Sequence, residues 1–576
     1  MHGCARQLSS CAKLRFTRTW WVVATMLAIG LWVTPVRVRA DETDGSSPAL
    51  ATNSNGDAPE ATDHESVMEL RARVEQMERQ NQYLMDALRS TRSAPTRLRH
   101  GGYIRPVGDL EGPLGSEDNS DERFDRMEED YEAERRSMQT QDEAPEGPSR
   151  GALLVGRWGT GFVNNGLWFE SEKKDFRLHV GGRTQWDTSF FHANDQVQFN
   201  PGGTGPIKDG TDFRRARIRI EGAMYEQSQF CVEYDFVDST TISGATPPGT
   251  PDIPSPRDVW WNFSQVPLFG NVRLGNQKEP YGFEVLLSSR WLNLMERSYN
   301  TEIFYSPYSA GFSPGIQFWT SYLDNRVTWS WGVFRNVVNN MAFEIGAGAF
   351  AVTGRLTGLP IYKDDGKRLI HLGVSGRSTG LNNGIVHYRT RGDERVGNSA
   401  NWPLYLNTAN INGSGRQDVN FELVSVWKSF TLQAEYNFDF VQNAFLAGQA
   451  PVGILFFQGG YAELSYFLTG ETREYVKEVG LFDRVVPKEN AYLYQSKSKT
   501  RYSLGAWQAT ARYNYLNMND KGINAGILND WTFGLSWFFN PNFKLQWNYS
   551  ITQRGSAPGG SNGTIQGLGM RVAHDF

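Results

Sequence analysis

Arg215, Arg217 and Arg219, spaced every second residue in FRRARIRIEG (213 to 222), carry the clearest chemical signal in this sequence. A guanidinium stays charged at physiological pH and presents planar N–H donors that match the oxygens of phosphate-like anions. At the two-residue period of a strand the three share one face, ~6.6 to 7 Å apart. Along an aqueous wall they would form a rail that passes an anion from one guanidinium to the next. The same parity turns Arg177, Arg183, Arg273, Arg355 and Arg377 to that face. It does so equally for Glu233, Asp235, Glu435 and Asp439, so the competing role for each arginine is to pair with an acid and brace the wall.

Such a rail needs strands that are wet on one side only. In FKLQWNYSITQ (543 to 553) Phe543, Leu545, Trp547, Tyr549 and Ile551 alternate with Lys544, Gln546, Asn548, Ser550 and Thr552. The segments 177 to 190 and 530 to 540 repeat the pattern, and the count along the chain is sixteen strands. Aromatic residues make up 13% of the chain, with 18 Trp and 59 Gly. Short connections at 226–229, 267–270, 323–325 and 540–542 interleave with long ones rich in Gly, Asn and Pro. A sandwich would bury the apolar face against a second sheet, but the opposite face here is too polar to form another core. The pattern therefore predicts an all-β, 16-stranded antiparallel transmembrane β-barrel over 151–576, with rings against outer-membrane lipid and polar groups inside. Sixteen strands leave an aqueous bore.

The first 40 residues read as a signal peptide, with a basic start, an apolar run from Trp20 to Val33 and a small-residue site ending at Ala40. An uncleaved anchor is the alternative, although fourteen apolar residues fall short of the ~20 that span a bilayer. A disordered acidic linker (41–65) leads to a coiled coil (66–90). There Val67, Leu70, Val74, Met77, Asn81, Leu84 and Leu88 recur at spacings of three and four. A lone amphipathic helix is the competing reading, and a charged linker (91–150) follows. Residues 1–40 hold six bases and no acids, and residues 41–150 hold 13 bases against 26 acids; a whole-chain charge of −5 thus leaves 151–576 at +2. An acidic arm argues against nucleic acid as a partner. Once the signal is removed, Cys231 stands alone, and the sequence lacks a phosphate loop and H-E-x-x-H. No enzyme, cofactor or metal is expected.

Six phrases in order carry a family resemblance: FRRARIRIEG, VEYDF (232 to 236), VRLGNQKEPYGFE (272 to 284), YFLTGETREY (466 to 475), AWQATARYNYLNM (506 to 518) and LSWFFNPNFKLQWNYS (535 to 550). From about Phe176 to Phe576 the chain resembles the phosphate-selective porin O and P family, and the terminal alternation to Phe576 resembles an outer-membrane assembly signature. The resemblance implies a trimeric barrel whose lumen is narrowed by infolded loops and lined by a ladder of cations that passes small anions such as phosphate. Two long segments are candidates for the constriction: 279–312, after Lys278 and containing Arg290 and Arg297, and 469–502, containing Arg473. The expected function is passive diffusion of small anions, with phosphate or polyphosphate as the named candidates. The alternatives are a non-specific diffusion porin or a structural protein tethered to the cell wall through its coiled coil.

Overall fold

The computed structural model describes residues 154–160, 165–171, 173, 175–225, 227–237, 254–305, 311–336, 349–396, 403–446, 448–491 and 503–576. The expected signal peptide, linkers and coiled coil lie outside these residues. In chain order the strands begin with β1 Leu154–Thr160, β2 Asn165–Ser171, β3 Phe176–Ala193, β4 Gly210–Met224, β5 Ser228–Asp235, β6 Ser255–Val266, β7 Gly270–Gln277 and β8 Ser313–Tyr322. They continue with β9 Val327–Arg335, β10 Phe350–Lys363, β11 Arg368–Thr379, β12 Ile385–Arg391, β13 Leu404–Asn412, β14 Gly415–Trp427, β15 Phe430–Ala444 and β16 Gly453–Phe467. The last are β17 Tyr475–Val476, β18 Leu481–Phe482, β19 Ala506–Asp520, β20 Ile523–Phe538, β21 Phe543–Gly555 and β22 Gly563–Asp575.

Sixteen of these close an antiparallel barrel: β3 to β11, β14 to β16 and β19 to β22. Closure comes where β22 pairs back onto β3, with Leu568 opposite Phe190 and Arg571 opposite Asp187. Phe576 exchanges two backbone hydrogen bonds with Gly182. Beyond that point β2 takes over as the partner of β3, so the β1–β2 hairpin extends the wall at one rim. All sixteen expected strands are present. Several run further than the alternation alone indicated: β20 starts at Ile523, because Asn and Asp residues at its head continue the ladder opposite Asn514 to Asp520.

The strands are amphipathic in the inverted sense. Along β21, Lys544, Gln546, Asn548, Ser550 and Thr552 are buried, whereas Tyr549 is exposed on the outside. Trp531 is 50% and Phe533 46% exposed, which places rings outside and hydrogen-bonding groups inside. Trp507, Trp537 and Trp547 stack on three neighbouring strands, at 4.9 and 6.4 Å between centroids, as part of an aromatic girdle.

The interior is filled by three intrusions. The β7–β8 connection lies along the inner wall over 278–305. The β11–β14 connection, one of the long ones, carries the β12–β13 hairpin from the same rim. From the opposite rim comes the β16–β19 connection with its β17–β18 turn. Tyr299, Ile303 and Phe304 of the first pack with Tyr388, Tyr405 and Leu406 of the hairpin. Phe283, Leu287 and Leu292 pack with Tyr475 and Phe482 of the third. Glycines on the wall create the space. A Cβ at Gly459 would stand 2.2 Å from Asn300 Oδ1, and one at Gly534 would stand 2.3 Å from Leu294 Cδ2.

The connection after β12 is seated in the same manner. Glu394 accepts a hydrogen bond from Ser550 Oγ at 2.7 Å, and a Cβ at Gly567 would fall 2.3 Å from its Oε2. Burial, then the carboxylates of Asp393 and Asp530, push Glu394 up to about 8.

Two outcomes follow for the seats. Gly459→Val costs about 1–3 kcal/mol through overpacking, read as a lower unfolding midpoint and faster proteolysis within 278–312; unchanged values would separate loop from wall. Because the folded-state value of Glu394 is raised, its contribution is fully present below the ordinary carboxyl range and is lost as pH rises through about 8. The unfolding midpoint therefore falls between pH 6 and 9 by about 2 °C or more beyond the fall in Glu394→Gln. Equal falls in both proteins would contradict this.

Candidate functional site

A break in strand register builds the centre of the site. Between β3 and β4, Gln185 faces Arg215 but Trp186 faces Phe213, so Arg214 is the extra residue of a β-bulge. Strict alternation would send Arg214 outward; the bulge instead buries Arg214 and Arg215 side by side. Both reach Glu296 of the 278–312 loop, Arg214 Nε at 3.0 Å and Arg215 Nη2 at 3.2 Å. Arg571 of β22 donates to the same carboxylate at 2.8 Å, and Arg395 of the hairpin connection stands 3.9 Å away. Burial alone would raise the Glu296 carboxyl, but Arg214, Arg215 and Arg571 outweigh it and hold it well below the usual range.

Most of the arginines expected in the rail are paired. Arg217 donates to Asp235 at 2.7 Å and to Glu233 at 3.0 Å, and Arg183 reaches Glu233 at 2.9 Å. Arg219 bridges Glu221 at 2.8 Å and Asp258 at 3.2 Å. Arg355 grips Glu422 at 2.8 Å and also donates to the carbonyls of Val479 and Gly480 on the β16–β19 connection. Of the acids named as partners, Glu233 and Asp235 do pair with rail arginines. Asp439 holds Arg416 instead, and Glu435 accepts the backbone N–H groups of Phe283 and Glu284 at 2.9 and 2.7 Å.

Three expected residues stand outside the cavity. Arg177 has the right parity but lies at the rim where β2 has replaced β22, half exposed and paired with Glu170 at 3.1 Å. Arg377 is held by Asp418 at 3.2 Å and donates to the Tyr305 carbonyl, which fastens the end of the loop. Arg473 clamps the loop tip, donating to Asn293 Oδ1 at 2.6 Å and to the Trp291 carbonyl at 2.9 Å.

Five cations that line the cavity, Arg273, Lys278, Arg290, Arg297 and Arg389, have no carboxylate partner among the described residues. Lys278 spends its ammonium on the carbonyls of Val285, Leu286 and Leu287, the closest at 2.6 Å. Arg297 donates to the carbonyls of Glu284 and Leu287. Arg273 lies over the Trp260 ring at 4.1 Å, and Arg290 lies 5.6 Å from that of Trp291. The Nε atoms of Arg273 and Arg290 are buried without a partner. Burial, with Arg297 adjacent, pulls Lys278 well below its usual value.

The cavity between these groups encloses about 580 Å³ and is bounded by β3–β10 on one side and the loop on the other. Fourteen Lys and Arg line it against six Asp and Glu, so its walls carry a formal excess of eight positive charges. Such walls concentrate anions and repel cations. Arg214, Arg257, Arg389, Arg391 and Arg395 also contribute, none of them anticipated: the first needs the bulge, and the last three sit on the unforeseen hairpin or its connection.

The family model described as "Phosphate-selective porin O and P" matches residues 179–572. Porin O of Pseudomonas aeruginosa is 24% identical over 412 residues, covering 67% of this chain and 85% of that protein. An uncharacterized protein of Caulobacter vibrioides is 36% identical over 124 residues, 21% of this chain and 23% of its own length. Among solved structures, the trimer form of OmpT, an outer membrane protein of Vibrio cholerae, aligns with a TM-score of 0.41 and 10% identity over 70% of this chain and 99% of that one. The chain belongs to the phosphate-selective porin O and P family and is a porin of the Gram-negative outer membrane.

Proposed function

We propose that the barrel is a non-enzymatic channel for passive diffusion of small anions of the phosphate class, working as a homotrimer. The observation that carries this reading is the excess of eight positive charges among the groups lining the cavity, together with five cations there that have no carboxylate partner among the described residues. Family membership supports the phosphate class. The paired arginines give shape and background potential: Arg217 and Arg219 share Glu233 and keep the wall rigid. Lys278 and Arg297, held by carbonyls, add positive potential, while Arg273 and Arg290, whose Nε atoms are open, supply donors that replace an anion's hydration shell. A non-specific size filter is the second reading, favoured by the pairing of Arg215, Arg217 and Arg219.

Reversal potentials in a salt gradient across a planar bilayer separate the two. The purified protein prefers chloride to potassium, and inorganic phosphate competes with the chloride current; cation preference or indifference would reject the anion reading. One unit charge ~4 Å from a permeating ion contributes about 1 kcal/mol even in water. Arg273→Gln therefore lowers anion preference by about fivefold, and an unchanged ratio would exclude Arg273 from the path. Glu296→Gln has a different outcome, because it strands several buried guanidiniums. It costs about 3–5 kcal/mol in thermal unfolding; a wild-type midpoint would show that Glu296 does not hold the loop.

A further inference from the structure

Indole rings stand among the cations on one stretch of the cavity wall, where a passage for small inorganic ions alone would have no need of them. Trp260 on β6 and Trp319 on β8 both face the lumen, on either side of Arg273 on β7. Arg273 lies opposite Asn262 and Gln317, so the two rings occupy its diagonals on the inner face. Gly275 lies opposite Trp260 at φ +128°, a conformation suited to glycine, and a Cβ there would come 2.7 Å from Trp260 Cα. That backbone approach keeps the wall beside the ring low.

Three polar atoms of the patch are unsatisfied. Trp319 Nε1, Arg273 Nε and Gln317 Oε1 are all buried and lack hydrogen-bond partners, whereas the Trp260 indole N–H is taken by Asp258 at 3.3 Å. Buried donors are normally paired, so a cluster of open ones on a cavity wall points to a guest that completes them. The guest must bring oxygens for Arg273 and the Trp319 N–H, and a flat apolar surface for the rings. A cavity of about 580 Å³ falls within the range of sites for small organic molecules.

We propose that the Trp260–Arg273–Trp319 patch is a binding subsite for ring-bearing organic anions, in which a phosphate or carboxylate meets Arg273 and the attached ring packs against indole. The subsite rests on the anion-channel reading and adds a substrate class to it: aryl or other cyclic organic phosphates and carboxylates. No bond is made or broken; the subsite lowers the free energy of one resting position along the path.

The test compares block of the chloride current by phenyl phosphate and by inorganic phosphate in planar bilayers. In the wild-type channel phenyl phosphate half-blocks at a concentration about tenfold lower, the gain expected of one stacked ring, and neutral phenol does not block. In Trp319→Leu the ratio of the two half-blocking concentrations falls to about one. Trp319→Phe, which preserves a ring but deletes the N–H, lies between. Equal block by both phosphates in the wild type, or an unaltered ratio in Trp319→Leu and Trp260→Leu, overturns the subsite even if chloride selectivity stands. Absence of chloride selectivity would instead remove the channel reading beneath it.

Discussion

A single carboxylate, Glu296, draws together Arg214, Arg215, Arg571 and, at longer range, Arg395, and through them ties three separate parts of the chain to its own loop. An ion taken from water into protein loses several kcal/mol of solvation, which is offset only when charge and hydrogen bonds are supplied on all sides. Here the loop supplies the negative charge and the wall the positive. Glu296 can be buried only where arginines converge, and the arginines can crowd only around an acid. This mutual requirement sets where the 278–312 loop lies, and thus which half of the bore is filled and which remains open. The glycines at 459 and 534 lower the wall on the filled side, while β3–β10 retain their long side chains on the open side.

The division explains why one residue type does two jobs. Arg183, Arg217, Arg219 and Arg355 have acids at 2.7 to 3.2 Å and act as braces. Arg273, Lys278, Arg290 and Arg297 are positioned by rings and backbone carbonyls, which orient a cation without cancelling its charge. A lumen built only from pairs would sieve by size. Much of the excess charge comes from residues whose partners are uncharged.

Strand parity carried much of this in the sequence. Sixteen alternating segments are present as barrel strands, and the inward assignment of His179, Arg183, Gln185 and Asp187 follows from the two-residue period. Arg571 is legible in the same way, since it sits between outward Met570 and Val572. Arg214 was not legible: one extra residue in β4 reverses its face, and the pair Arg214–Arg215 gives no local sign of the bulge. The acid partners on the wall were foreseen as a class, whereas Glu296 and the backbone seats of Glu435 depend on a loop trajectory with no periodicity to read. The hairpin at 385–412 was hidden for the same reason, because its strands are short and its register is interrupted. Arg177 shows the limit of parity, which gives the face of a residue but not its height along the wall.

The central claim is that unpaired cations, not the carboxylate-paired ladder, meet the permeating anion. Anomalous diffraction from crystals soaked in bromide locates anions directly. The account predicts peaks beside Arg273, Lys278, Arg290 and Arg297, and none between Arg214, Arg215 and Glu296. Bromide concentrated along Arg215, Arg217 and Arg219, or absent from the cavity altogether, would contradict it.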